Sequence, residues 1–244
     1  MTRMFATLFV LGLVSTLAAQ DTPAAPALVE CFLSHHEVEP LTHYRATRRL
    51  EAENGRFNVK GWMGVATELS PETGFTWAVV SEGGSGYIRN KVLRKALEGE
   101  AAAIRNNDPA NAALNEANYV FAVTRAAAAA KRKAAAAVDE PPPAGVARLF
   151  ITPKRKDILL VEGALVLAEI DGDLLQVEGR LSKAPSFWTR SVDIVRRYAR
   201  IGGVRVPVAT ESTANVRIAG RSEFRMTYRY QTINGRDVPA VTAR

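Results

Sequence analysis

The sequence predicts a mainly β chain with one substantial helix, an α+β architecture built on an antiparallel sheet with one wet face. Three observations predict it. From Val146 to Gln231, five or six strand patterns follow one another with only turn residues between them. Their side chains alternate with a period of two: Val204, Val206, Val208, Thr210, Ser212, Ala214, Val216 and Ile218 against Arg205, Pro207, Ala209, Glu211, Thr213, Asn215 and Arg217. The connections carry Asp171-Gly172, Gly202-Gly203 and Ala219-Gly220, the residues that tight hairpins need for positive φ.

The elements follow in order. Residues 20–40 read as a Pro/Ala tether with a short helix from Ala27 to His36. Tyr44, Ala46, Leu50 and Ala52 then alternate with Arg45, Thr47, Arg49, Glu51 and Glu53, a strand with a charged outer face. Asn54-Gly55 turns it into a partner strand presenting Phe57, Val59, Met63, Val65 and Leu69. Gly61 and Gly64 within that strand point to a bulge or to the close approach of another element. After Ser70–Gly74, a third strand opens with Phe75, Trp77 and Val79.

Gly83-Gly84-Ser85-Gly86 ends that strand and leads into the helix, with Ser85 as N-cap and Ile88, Val92, Leu93, Leu97 and Ile104 as its apolar stripe through Arg105. Such a stripe must be laid on something, and the apolar face of the sheet is the natural receptor. Tyr119, Phe121 and Val123 make a short strand whose partner is Ala147–Thr152. Between them, 126–145 is an alanine-, lysine- and proline-rich surface excursion, with a domain boundary there as the alternative. Leu159–Ala168 is apolar on both faces, as a strand covered on both sides would be. Leu175, Val177 and Leu181 face in on the next strand; Trp188, Val192, Ile194 and Tyr198 carry the one after it. Phe224, Met226, Tyr228 and Tyr230 mark the last long strand, and 236–244 reads as a frayed tail. Residues 41–235 are thus expected to form a single domain.

Met1 to Gln20 has an early arginine, an apolar core from Phe5 to Leu17 and small residues before a polar stretch. Residues 1–19 therefore read as a secretory signal peptide, too short to span a bilayer, which needs ~20 apolar residues. A periplasmic or secreted location follows. The net charge of +7, or +6 once Arg3 is removed, points an exported protein toward anionic membrane surfaces or acidic partners. Nucleic acid is not expected, because the basic residues are spread along many strands rather than gathered beside stacking aromatics. With Cys31 as the only cysteine, no intrachain disulfide can form.

Catalytic chemistry finds little purchase. Cys31, His35, His36 and His43 lack a regular ligand spacing, so no metal or other cofactor is expected. No nucleophile stands in an elbow motif beside a base, and Glu162, Glu178 and Asp193 read as the solvated face of a sheet. The chain is therefore read as non-enzymatic. Gly84, Ser85, Gly86, Arg89 and Lys91 have the layout of an anion or headgroup contact at a helix start, and equally of a tight strand-to-helix turn. A long sheet only partly covered by one helix leaves a concave apolar surface. Its candidate lining is Phe57, Val65, Phe75, Trp77, Ile88, Val92, Val177, Ile194, Val206, Phe224, Met226 and Tyr228, each of which also fits plain core.

The order of these elements resembles the periplasmic lipoprotein-carrier (LolA/LolB-like) superfamily and the exported bacterial proteins related to it. The phrasing Asp171-Gly172-Asp173-Leu174-Leu175-Gln176-Val177-Glu178, with Phe187 to Val195 and Ile201-Gly202-Gly203-Val204-Arg205-Val206-Pro207, is similar to that family's second half. The resemblance implies an open antiparallel half-barrel wrapped around one amphipathic helix, shielding acyl chains or another hydrophobic or lipidated ligand. The other expectation is an envelope interaction module that uses a basic surface and has no ligand cavity.

Overall fold

The computed structural model describes residues 30, 32–34, 39–106, 109–123 and 145–239. The expected signal peptide, Cys31, His35, His36, residues 126–144 of the excursion and the last five residues lie outside the described residues. Among the described residues the chain is mainly β: eleven strands form one antiparallel sheet, and one long helix packs on it. In chain order the strands are β1 (Tyr44–Asn54), β2 (Val59–Ser70), β3 (Gly74–Gly84), β4 (Tyr119–Ala122), β5 (Val146–Pro153), β6 (Val161–Ala168), β7 (Leu174–Leu181), β8 (Thr189–Ile201), β9 (Val204–Val216), β10 (Gly220–Ile233) and β11 (Arg236–Asp237). Between β3 and β4 runs α1, in which Gly86–Ile88 and a π-helical stretch, Arg89–Leu93, lead into Arg94–Arg105; a short α2 (Pro109–Ala112) follows.

Across the sheet the order is β3-β2-β1-β10-β9-β8-β7-β6-β5-β4, with β11 folded back on β10. The first three strands are a meander, α1 carries the chain away, and a second meander from β4 returns until β10 lies beside β1. Asn234-Gly235 turns the chain so that Arg236 pairs with Ile233 at the point where the sequence reading starts the tail. Tyr119 pairs with Pro153 and Ala122 with Phe150, so the short strand finds its expected partner on the far side of the excursion.

The registers identify one face. Met63, Leu50, Met226, Thr210, Arg196 and Val177 stand opposite one another in a single row from β2 to β7, and residues in such a row share a side. On that side lie two apolar clusters. One, under α1, is built on Leu50, Met63, Val65, Val204, Val206 and Met226 with Ile88, Leu93 and Leu97 of the helix. The other joins Phe32 and Tyr119 to Leu149, Ile151, Leu165, Leu167 and Val177. The helix packs over β1, β2 and β3.

One glycine admits the helix and another lets the end of β3 close on β2. A Cβ on Gly61 would stand 3.1 Å from Ile88, and one on Gly84, at φ +76°, would stand 2.5 Å from the Lys60 carbonyl oxygen. The bulge that Gly61 and Gly64 predict falls between Gly64 and Val65. Ile88 and Leu93 are five residues apart and both buried, which the wider π turn allows. The Asn54-Gly55 connection is a four-residue turn, Gly55 to Asn58, rather than a two-residue one, and β2 starts only at Val59. Phe57 therefore sits in the turn and is 55% exposed, not on the apolar face that the alternation predicts for it.

Candidate functional site

On β1 the apolar positions are Tyr44, Ala46, Leu50 and Ala52, and period two puts Arg48 among them. Its side chain is 1% exposed. A guanidinium taken out of water costs several kcal/mol unless its charge and donors are matched. Glu100 matches the charge and two of the donors: Nη1 donates to Oε2 at 2.6 Å and Nη2 to Oε1 at 3.0 Å, a two-pronged pair, while Nε is buried without an acceptor. Nη2 also donates to the Tyr44 hydroxyl. The guanidinium lies 4.9 Å from the centre of the Phe75 ring and 4.6 Å from that of Tyr228. Burial would push the Arg48 pKa down, but the hydrogen bonds and charge of Glu100 outweigh it, so the group stays charged. Glu100 comes from α1, within the stripe between Leu97 and Ile104, and the pair staples helix to sheet.

Beside it stand phenols that burial keeps neutral: desolvation pushes Tyr44, Tyr228 and Tyr230 up from the ordinary value. Tyr230 donates to the Pro207 carbonyl at 2.8 Å, and its ring stacks on Tyr228 at 6.0 Å. Tyr44 meets Tyr230 edge to face at 5.7 Å.

A second arginine shares this face. Arg196 stands opposite Thr210 and Val177. Its Nε is buried and meets no acceptor, and the phenols of Tyr198 and Tyr228 lie near its guanidinium. Among the described residues no carboxylate forms an ion pair with it. With Glu100 taken by Arg48, the cluster of two arginines and one glutamate carries a net charge of +1 (2 − 1). Arg196 and Tyr228 share a further property. Protein atoms surround both closely, yet both remain partly open to solvent, unlike Leu50, Met63 and Val65 in the sealed core nearby.

From Arg196 a strip of half-buried residues runs along β8, β9 and β10. Ile194, Ser212 and Phe224 form the next row, and Val192, Ala214 and Ser222 the row beyond. Ile194 borders one apolar cluster and Phe224 the other. The strip ends at a group of turns on the same end of the sheet. There Phe187 (73%), Ile218 (60%), Phe57 (55%) and Trp188 (54%) are exposed. The Arg217 guanidinium lies 4.7 Å from the centre of the Phe187 ring, and Arg56, Lys183 and Arg190 are exposed around it.

Eleven of the twelve lining candidates fall on the apolar side or on the helix stripe. Val65, Phe75, Ile88, Val206 and Met226 are buried around the helix and Val177 in the second cluster; Trp77, Val92, Ile194, Phe224 and Tyr228 are half-buried at the margins. Phe57 is the exception. The Gly84–Lys91 group takes the form of a tight turn: Ser85 Oγ accepts from the Ile88 N–H at 3.4 Å, and the Ser85 N–H donates to Lys60 O at 2.8 Å. Gly86 follows that cap as the first helical residue, and Arg89 and Arg94 both engage Glu82, leaving Lys91 exposed.

Glu178 binds Arg148 at 3.3 Å, and Asp193 binds Arg180 at 2.8 Å. Among the described residues no three His, Cys, Asp or Glu side chains are grouped to hold a metal, and no helix is long and apolar enough to cross a membrane. Arg48, Glu100 and Arg196 escaped the sequence reading, although each left a signal. A charged residue occupied an apolar position of the alternation at 48 and 196 and of the helical stripe at 100. Comparison with protein-family models, with curated proteins and with solved structures finds no match.

Proposed function

We propose that this chain is an exported, non-enzymatic protein that binds a lipid or a lipidated, hydrophobic ligand on the concave face of an open half-barrel curved around α1. The observation that carries the reading is the half-buried strip of Val192, Ile194, Ala214 and Phe224, which lies between two sealed cores and joins an exposed aromatic end to the Arg196 cluster. Covering apolar surface is worth about 25 cal/mol per Å², so a chain of methylenes laid along such a strip gains affinity without any directed contact. The aromatic end, with Arg56, Lys183, Arg190 and Arg217, suits a surface of anionic headgroups from which such a ligand is taken or to which it is given.

The alternative, a module that only displays basic charge, has less support. On the outward side several cations are already paired: Arg197 and Arg225 share Glu211, and Arg180, Arg221 and Arg49 each have a carboxylate. Native mass spectrometry of the mature protein purified from its own envelope fraction, followed by organic extraction, tests the reading. A co-purifying acyl species is the expected result. An empty protein that also fails to take up a fluorescent hydrophobic probe would overturn it.

A further inference from the structure

We infer that the ligand of this face is an amphiphile with a small anionic head group, a carboxylate or a phosphate monoester, and that Arg196 is the residue that receives it. The inference rests on the lipid-binding reading above and adds the chemistry and position of the head.

Four observations converge on Arg196. It shares a row with Leu50 and Met226, so its guanidinium lies on the apolar side and not among the ion pairs of the outer face. Its Nε is buried without an acceptor, and the nearby carboxylate of Glu100 is already held on both oxygens by Arg48. A desolvated cation without a counter-charge is an unfavourable arrangement that an arriving anion relieves. Arg196 as a residue is only half-buried, whereas the Arg48 side chain is sealed at 1% exposure, so of the two it is Arg196 to which we assign the approach of an anion. The guanidinium fork matches two oxygens of a carboxylate or phosphate, and hydrogen bonds between charged partners are about twice as strong as neutral ones.

The tail has a path. From Arg196 the half-buried strip runs back along β8 to Thr189, beside the exposed Trp188, a distance of roughly 23 Å at ~3.3 Å per residue. That matches the reach of a long acyl chain, and places the tail between the two apolar clusters with the head at the deep end.

The test compares palmitate, hexadecyl phosphate and hexadecanol, which share a chain and differ in head group. Each is titrated calorimetrically into the full mature protein below its micelle concentration at neutral pH. The expected result is that at least one acid binds more tightly than the alcohol by about ten-fold or more. Which acid wins identifies the head. Arg196→Gln is expected to remove that preference while leaving hexadecanol unchanged within about two-fold, and Arg196→Lys to restore part of it. Arg197→Gln, on the outer side and paired with Glu211 at 3.0 Å, is the control and changes neither. Equal binding of acids and alcohol by the wild type overturns the inference while the lipid-binding reading stands. So does an acid preference that survives Arg196→Gln. If none of the three binds, both fall. Should Arg196→Gln fail to fold, the acid-to-alcohol ratio of the wild type decides alone.

Discussion

Arg48 and Glu100 show how one residue sets the energetics of this face. The arginine is sealed and the glutamate is 31% exposed, so neither can be removed alone without leaving the other's charge poorly matched. Breaking such a pair from one side typically costs about 3–5 kcal/mol, and replacing both partners by apolar groups costs far less. Glu100→Ala is therefore expected to lower the urea midpoint more than the double change Arg48→Met with Glu100→Leu; the reverse order would show that the pair does not hold the helix.

Asp173 makes a second, pH-dependent contribution. Burial pushes its carboxyl up, but hydrogen bonds from Arg200 and Arg205 outweigh it and hold the pKa below the ordinary 3.8. Arg200 Nε donates at 3.0 Å and Arg205 Nη2 at 2.6 Å. Because the folded pKa is depressed, the stabilisation is complete above the unfolded value and is lost as pH falls through the folded one. Denaturation of wild type and Asp173→Asn should differ near neutral pH, and the gap should close as the pH drops below 3.8.

At the scale of elements, the β6–β7 pair is defined by a close approach. Gly163 faces Gly179, and a Cβ on Gly163 would stand 2.0 Å from the Glu178 carbonyl oxygen. Gly163→Ala must push the strands apart and is expected to cost about 1–3 kcal/mol, as overpacking does. Gly99, inside α1 with nothing within 4 Å, is the opposite case. Gly99→Ala should raise stability by about 0.5–1 kcal/mol, since alanine loses less backbone entropy in a helix. Thermal melts of the two variants check both signs. The helix was legible because its stripe from Ile88 to Ile104 is a local pattern, whereas its π-helical stretch, Arg89–Leu93, left no mark in composition or spacing. The hairpin at Asn54 was legible in place but not in length. Asn54 accepts from the Phe57 N–H at 3.0 Å and donates to the carbonyls of Ala219 and Arg221, so a distant turn shapes the one that carries Phe57.

For the whole molecule, the decisive event is β10 arriving beside β1, which sets Leu50 opposite Met226 and Arg48 opposite Tyr228. The same closure gathers the β1–β2, β7–β8 and β9–β10 turns at one end, with Phe57, Phe187, Trp188 and Ile218 exposed together. If that end meets a membrane, replacing both Phe187 and Trp188 by alanine should reduce co-sedimentation with vesicles containing phosphatidylglycerol several-fold while leaving the melting temperature nearly unchanged. Undiminished co-sedimentation would show that another surface makes the contact.

The sequence by itself determined which side of most strands faces inward, where most turns fall and which stripe of the helix is buried. Each of these is a periodicity or a turn preference expressed within a few neighbouring residues. Only the tertiary structure decided that β1 lies against β10, that the charges of Arg48 and Arg196 point into the apolar side, and that Glu100 neutralises just one of them. The physical reason is distance along the chain. A strand's alternation says that it has an inner face, but the partners that seal that face or leave it open come from elements far away in sequence.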